Sequence, residues 1–141
     1  MQLLLLNGPN LCLTGIREPH IYGAETLKDI EEKCRALCAS HGAELDCLCT
    51  NHEGELIDAL INGRKKYSGV VINPGALSHY SYSLRDAIAA SELPVVEVHI
   101  SNVYAREEFR EKSVVAPVCR GRITGLGSAG YILAFKYFLE V

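Results

Sequence analysis

The sequence lacks an apolar run long enough for a signal peptide or a membrane span. The apolar run near the N-terminus ends at Leu6 and is followed at once by Asn7-Gly8-Pro9-Asn10. Lys and Arg are scattered rather than massed, and the formal net charge is −3, so the charge pattern favours neither nucleic acid nor an anionic membrane as a partner. Internal repeats, low-complexity tracts and linkers are also missing. These absences predict one soluble, cytoplasmic domain over residues 1–141 that binds a small molecule.

The six cysteines come without a secretory signal or a His at zinc-finger spacing. We therefore predict reduced thiols that pack as small apolar groups. The alternative is a metal site built from Cys34, Cys38, Cys47 and Cys49. It is disfavoured because Cys34 and Cys38 fall on the apolar stripe of a predicted helix.

Short β-rich runs alternate with helical stripes along the whole chain. The pattern predicts strands at 2–6, 43–49, 69–73, 95–100 and 119–125. It predicts helices from a Thr26 cap to Gly42, over 54–66, from a Ser83 cap to Pro94, briefly around 105–110, and over 128–139. Because parallel strands need crossover connections, the expected fold is α/β, a flavodoxin-like three-layer sandwich with a five-stranded parallel sheet. The aromatic side chains of the last helix serve either the core or an intersubunit contact.

Unusual polar residues follow three of the predicted strands. Asn10 lies beyond strand 1, Asn73 and His79 lie at and beyond the end of strand 3, and His99 and Ser101 close strand 4. In an open parallel sheet, ligands bind beyond the carboxyl ends of the strands. Ordinary turn chemistry explains the Asn, Gly and Pro residues equally well, but it does not require His79, Glu97 or His99.

Glu97 and His99 are two residues apart on a predicted strand, so their side chains point to the same face. A carboxylate there holds the imidazole in one tautomer and favours its protonated form, which suits a general acid. The alternative is a buried histidine satisfied by a neighbouring acid for structural reasons.

Arg106 and Arg110 are four residues apart and would share one face of a short helix. Two guanidinium groups near the sheet edge suit an anionic or hydroxyl-rich ligand. The alternative is a solvated helix on which both arginines pair with Glu107, Glu108 and Glu111.

The segment 15–23 is punctuated by Gly and Pro, has no apolar periodicity, and places Arg17 five residues before Tyr22. An unperturbed phenol has a pKa of about 10, so it acts as a base at neutral pH only beside a cation such as a guanidinium. The segment is a candidate active-site lid. The alternative is an ordinary surface loop with a half-buried tyrosine and a solvated arginine.

Seven motifs occur in the order seen in type II 3-dehydroquinate dehydratases. They are Asn-Gly-Pro-Asn-Leu, Arg-Glu-Pro-x-x-Tyr-Gly, Asn-His-Glu-Gly-Glu-Leu-Ile, Asn-Pro-Gly-Ala, Glu-Val-His-Ile-Ser-Asn, Ala-Arg-Glu-x-Phe-Arg and Gly-Leu-Gly-x-x-Gly-Tyr. The chain resembles this family from about residue 2 to residue 137. The resemblance implies a hydro-lyase that dehydrates 3-dehydroquinate to 3-dehydroshikimate, in the shikimate pathway of aromatic amino acid biosynthesis or in quinate catabolism.

The resemblance also implies residue roles, with no metal or organic cofactor. Tyr22 would be the base, Arg17 would stabilise the tyrosinate and the transition state, and His99 would protonate the departing hydroxyl. Asn10 would hold a water that stabilises an enolate intermediate. The remaining implied contacts to substrate are the carboxylate site of Asn73, Ile100 and Ser101, and the hydroxyl site of His79 and Arg110.

Asp86 in this family reaches in from a neighbouring subunit, which implies a homo-oligomer, a dodecamer built from four trimers. The sequence departs from the usual pattern at Cys12, at Cys49-Thr50-Asn51, and around His79 at Leu77, Ser78 and Tyr80. None of these is a proposed catalytic position.

Fold alone leaves other functions open, because the same architecture hosts flavin carriers and phospho-acceptor receivers. A flavin carrier needs backbone donors after strand 1, where Pro9 removes one. A receiver needs acidic residues where this chain has Asn7, Asn10 and Asn73. A catalytically dead binding protein would be expected to lack Tyr22, Arg17 or His99.

Overall fold

A twisted sheet of parallel strands lies at the centre of the computed structural model, which describes residues 1–22 and 24–141 without the side chain of Tyr22. In this described part the strand order is β2-β1-β3-β4-β5, and every neighbouring pair is parallel. This confirms the predicted five-stranded parallel sheet. The strands are β1 Gln2–Asn7, β2 Glu44–Cys49, β3 Gly69–Asn73, β4 Val95–His99 and β5 Gly121–Thr124.

Helices cover both faces of the sheet, as the crossover connections of a parallel sheet require. On one face the core contains apolar residues of α3 and α4, and on the other it contains those of α2 and α5. Successive residues of β1 alternate between the two cores, with Leu4 and Leu6 in one and Leu3 and Leu5 in the other. The helices are α1 Pro19–Tyr22, α2 Leu27–Ser40, α3 Glu53–Asn62, α4 Tyr82–Ser91 and α5 Ala129–Glu140. Among the described residues, none of the helices has the length and apolar character of a membrane span.

The predicted start of α2 is confirmed by a complete capping box. The Thr26 hydroxyl accepts a hydrogen bond from the Asp29 amide at 3.2 Å, and the Asp29 carboxylate accepts one from the Thr26 amide at 3.1 Å. The helix then places Cys34 and Cys38 in the core, where burial raises the pKa of the Cys34 thiol to about 12. These two cysteines therefore pack as small apolar groups.

Two local predictions were wrong. Helix α4 is capped by Ser81 rather than Ser83, because the buried Ser81 hydroxyl accepts from the Leu84 amide at 3.0 Å and donates to the Glu53 carboxylate at 2.6 Å. The helix predicted around 105–110 is instead two separate 3₁₀ turns, Val103–Ala105 and Glu108–Arg110, because the backbone between them is extended at Arg106. Arg106 and Arg110 therefore do not share a helical face.

The segment predicted as a loop at 15–23 contains the single-turn helix α1, which begins at Pro19. Proline suits this first helical position because its ring fixes φ and no amide donor is lost there. The aromatic residues of α5 divide between the core and the surface. Tyr131 and Phe135 are fully buried, whereas Tyr137 is 43% exposed.

Candidate active site

The loops that follow β1 and β3 touch at the carboxyl edge of the sheet. The Gly8 amide donates to the Asn73 carbonyl at 2.8 Å, and a Cβ atom at Gly8 would lie 2.8 Å from the Pro74 carbonyl oxygen. Gly75 has φ of 60°, in the left-handed region that favours glycine. Glycine at these positions therefore allows the two loops to pack backbone against backbone.

A cavity of about 270 Å³ opens above these loops and beside the end of β4. Its described lining residues include three arginines and two histidines and no acidic residue. Such a lining favours an anionic ligand. Nine of the residues that the sequence predicted for the site line this cavity: Asn10, Arg17, Asn73, His79, His99, Ile100, Ser101, Arg106 and Arg110.

Two of the described predicted site residues do not belong to that lining. Glu97 lies behind His99, fully buried. Asp86 is exposed on α4 and does not line the cavity of its own chain. The Tyr22 side chain lies outside the described residues.

The contact predicted between His99 and Glu97 is present. The His99 Nε2 atom lies 2.5 Å from the Glu97 Oε2 atom. Because a carboxylate only accepts, Nε2 carries the proton of this bond, and Nδ1 is the nitrogen that can exchange a proton with a ligand. The Glu97 carboxylate also accepts from the Ser113 hydroxyl at 2.8 Å and faces the Arg122 Nε atom at 3.4 Å. These partners hold the carboxylate in place.

His79 lies beside His99, with ring centroids 6.2 Å apart and nearly parallel planes. Its Nδ1 atom is 2.8 Å from the Lys112 carbonyl, so Nδ1 donates and Nε2 is the acceptor of the neutral ring. Burial lowers the pKa of His79, and the nearby positive groups act in the same direction. The two histidines therefore donate through different nitrogens, His79 through Nδ1 and His99 through Nε2. The lowered pKa favours the neutral form of His79.

Arg106 is positioned by a hydroxyl group, and Arg110 by a carboxylate and an aromatic ring. Arg106 donates from Nη1 to the Ser101 hydroxyl at 3.1 Å. Arg110 donates to the Glu107 carboxylate at 3.0 Å and packs over the Phe109 ring at 4.7 Å. Arg110 thus makes the carboxylate pair expected of a solvated helix and lines the cavity as well.

A buried hydrogen-bond network supports the loops after β1 and β3. The Tyr131 hydroxyl donates to the Asn7 side chain at 2.6 Å and accepts from the Asn73 side chain at 2.9 Å. The Asn73 side chain in turn accepts from the Gly75 amide at 3.1 Å. Burial raises the pKa of Tyr131, so its hydroxyl keeps its proton. The sequence analysis assigned Tyr131 either to the core or to an intersubunit contact and missed this hydrogen-bonding role, together with the roles of Ser113 and Arg122.

We expect Tyr131→Phe to destabilise the folded protein by about 1–3 kcal/mol, because it leaves the Asn7 and Asn73 side chains with an unmet buried hydrogen bond. The midpoint of urea denaturation measures the effect. Tyr137→Phe is the matched control, because Tyr137 lies on the same helix and is partly exposed. Equal midpoints for the two variants would contradict a supporting role for the Tyr131 hydroxyl.

Comparison with known proteins identifies the family of this chain. A family model described as Dehydroquinase class II matches residues 1–139. The 3-dehydroquinate dehydratase of Bacillus licheniformis is 56% identical over 138 residues, which cover 98% of this chain and 95% of the relative. That of Deinococcus radiodurans is 56% identical over 140 residues, covering 99% of this chain and 98% of the relative. The crystal structure of type II dehydroquinase from Butyrivibrio crossotus matches with a TM-score of 0.94 and 47% identity, covering 97% of this chain and 96% of that one.

The chain is an α/β protein with an arginine- and histidine-lined cavity at the carboxyl edge of its parallel sheet, and its similarity to known dehydroquinases makes it an enzyme of the lyase class. The chain belongs to the class II dehydroquinase family. The resemblance inferred from the seven motifs is thereby confirmed.

Proposed function

We propose that this protein dehydrates 3-dehydroquinate to 3-dehydroshikimate by an anti elimination through an enolate intermediate. The observation that carries the proposal is the buried Glu97–His99 pair at the edge of an arginine-lined cavity, in a chain of the class II dehydroquinase family. The substrate is a carboxylate that carries hydroxyl groups and a ketone, which suits a cavity with guanidinium and amide donors. Residues 1–141 would form one catalytic domain.

The first step is removal of a proton from carbon 2, next to the ketone. Tyr22 is the proposed base and acts as a tyrosinate. Arg17 lines the cavity and supplies the positive charge that this anion requires. The loss of the proton leaves an enolate, whose oxygen would be stabilised by a water held at Asn10.

The second step is departure of the hydroxyl group from carbon 1, which needs a proton. His99 is the proposed donor, through the nitrogen that does not contact Glu97. The Glu97 carboxylate accepts from Nε2 and keeps the ring oriented during the transfer. Water is the product of this transfer, and the ring gains a carbon–carbon double bond conjugated to the ketone.

The remaining lining residues would bind the parts of the substrate that do not react. Asn73, the backbone amides of Ile100 and Ser101, and the Ser101 hydroxyl would hold the carboxylate. His79 and Arg110 would hold ring hydroxyls, for which the neutral His79 ring offers an acceptor nitrogen. Arg106 supports the carboxylate site because it already donates to the Ser101 hydroxyl.

We propose that the enzyme works as a cytoplasmic homo-oligomer, a dodecamer of four trimers, in the shikimate pathway or in quinate catabolism. The family resemblance gives Asp86 a place in a neighbouring subunit's site, and its exposure on α4 leaves the carboxylate accessible to a second chain. In the assembly it would reach the cavity of a neighbouring chain.

We expect Asp86→Ala to lower kcat/KM by about 10-fold to 100-fold, the cost of one hydrogen bond to a charged group. Steady-state kinetics measures the change, and light scattering checks that the assembly has kept its mass. Glu92→Gln is the matched control, an exposed acid at the end of the same helix. Unchanged kcat/KM in an intact Asp86→Ala oligomer would remove Asp86 from the site.

The activity itself is tested by adding 3-dehydroquinate to the purified protein and following ultraviolet absorbance. The product is a conjugated enone, so absorbance rises with turnover, without added metal or cofactor. A flat trace from folded protein would contradict the proposed function and favour a binding protein that has lost catalysis.

A further inference from the structure

Two thiols from distant parts of the chain lie against each other beside the active-site edge. Cys12 is in the 3₁₀ turn Leu11–Leu13 that follows β1, and Cys49 is the last residue of β2. They are 37 residues apart, yet their sulfur atoms are 2.6 Å from one another, and both are free cysteines. A disulfide bond is about 2.0 Å long, so only a small further approach separates this contact from a covalent bond.

The backbone on both sides of the thiol pair is already held in place. The Asn10 amide donates to the Asn51 side chain at 2.9 Å, and the Thr50 amide donates to the Asn7 carbonyl at 3.0 Å. These two hydrogen bonds join the segment that carries Cys12 to the segment that carries Cys49. Bond formation therefore needs little backbone rearrangement, which is the usual obstacle to a new disulfide.

The two sulfur atoms differ in access. Cys12 is exposed, whereas Cys49 is only partly so. Burial, together with the contact to Cys12, raises the pKa of Cys49 to about 12. An external reagent therefore meets Cys12 first, and Cys49 is the resolving partner.

We propose that Cys12 and Cys49 form a reversible thiol-oxidation site, which a low-molecular-weight disulfide converts into an intramolecular disulfide. The Cys12 thiolate attacks one sulfur of the reagent, forming a mixed disulfide and releasing one reagent thiol. The Cys49 thiolate then attacks the Cys12 sulfur and expels the second reagent thiol. The two protein thiols are oxidised, two reagent thiols are formed, and a reducing thiol reverses both steps.

The disulfide would tether a specific segment of the site. Cys12 lies between Asn10 and Arg17, both of which line the cavity. The new bond would join the chain between them to β2, at the edge of the sheet. Oxidation would therefore restrict the segment that enters α1 while leaving the strands unchanged.

The test uses the assembled protein, reduced and then incubated with oxidised glutathione. Titration of denatured protein should find all six cysteines before treatment and two fewer afterwards. Mass spectrometry should show a loss of ~2 Da with no glutathione attached. Peptide mapping should join Cys12 to Cys49, and amide hydrogen exchange over residues 11–17 should slow. Dithiothreitol should reverse all of these changes.

Three variants make the result specific. Cys49→Ser should stop at a stable mixed disulfide on Cys12, and Cys12→Ser should lose no thiol from Cys49. Cys119→Ser is the control, because Cys119 lies before β5 and should not affect the loss of two thiols. The proposal is overturned if the wild-type protein keeps all its thiols, if mapping joins another pair, or if the bond forms between chains. None of these readings depends on dehydratase activity, so failure here is distinct from failure of the proposed function.

Discussion

Tyr22→Phe should lower kcat by about 10³-fold or more, because phenylalanine cannot take the proton from carbon 2 and general-base catalysis contributes on the order of 10²–10⁴-fold. Substrate and product should still bind, since the arginines and the amide side chains of the cavity are unchanged. Steady-state kinetics measures the loss of turnover, and calorimetric titration with product measures the retained affinity.

Tyr137→Phe is the matched control for this experiment, because Tyr137 is partly exposed on α5 and is not among the described residues that line the cavity. It should leave kcat unchanged. If Tyr22→Phe turned over substrate at a near-normal rate, Tyr22 would not be the base. If it lost affinity for product to the same extent as turnover, its role would be binding rather than proton transfer.

His99→Ala should lower kcat by about 10²–10⁴-fold, because hydroxide is a poor leaving group without a proton donor. The loss should fall mainly on kcat, since His99 is proposed to act on the reacting hydroxyl. Removing His99 also leaves the buried Glu97 carboxylate with Ser113 and Arg122 as partners. A thermal melt is therefore needed to separate lost catalysis from lost folding.

His41→Ala is the control, since His41 is exposed at the end of α2. A folded His99→Ala protein with robust activity would exclude His99 as the acid. Glu97→Gln adds a second check on the pair. It should reduce kcat less than His99→Ala does, because the imidazole remains but loses the carboxylate that orients its ring.

Local patterns in the sequence predicted those parts of the fold that local contacts determine. The Thr26–Asp29 capping box and the continuous apolar run of β1 are examples, since each depends on residues within or next to one element. The choice of Ser81 over Ser83 depends on a bond to Glu53, which is 28 residues away. Such a contact leaves no signal in the nearby sequence.

The same distinction applies to the site. Glu97 and His99 are two residues apart on a strand, so their contact followed from strand geometry. Ser113, Arg122 and Tyr131 reach the site through the packing of distant segments, and they were missed. Tyr131 lies in one of the recognised motifs, and a buried hydroxyl needs a hydrogen-bond partner, so a signal for it was present. The contact between Cys12 and Cys49 joins the turn after β1 to the end of β2 and has no periodic signal.

The close approach of Gly8 to Pro74 means that the two loops at the floor of the cavity cannot be adjusted independently. One of them leads to Asn10, and the other begins at Asn73. A methyl group at position 8 would wedge the loops apart and pull the Asn73 amide away from Tyr131. New ligand specificity in this fold would therefore have to arise at other residues that line the cavity. Their side chains can change size without separating Asn10 from Asn73.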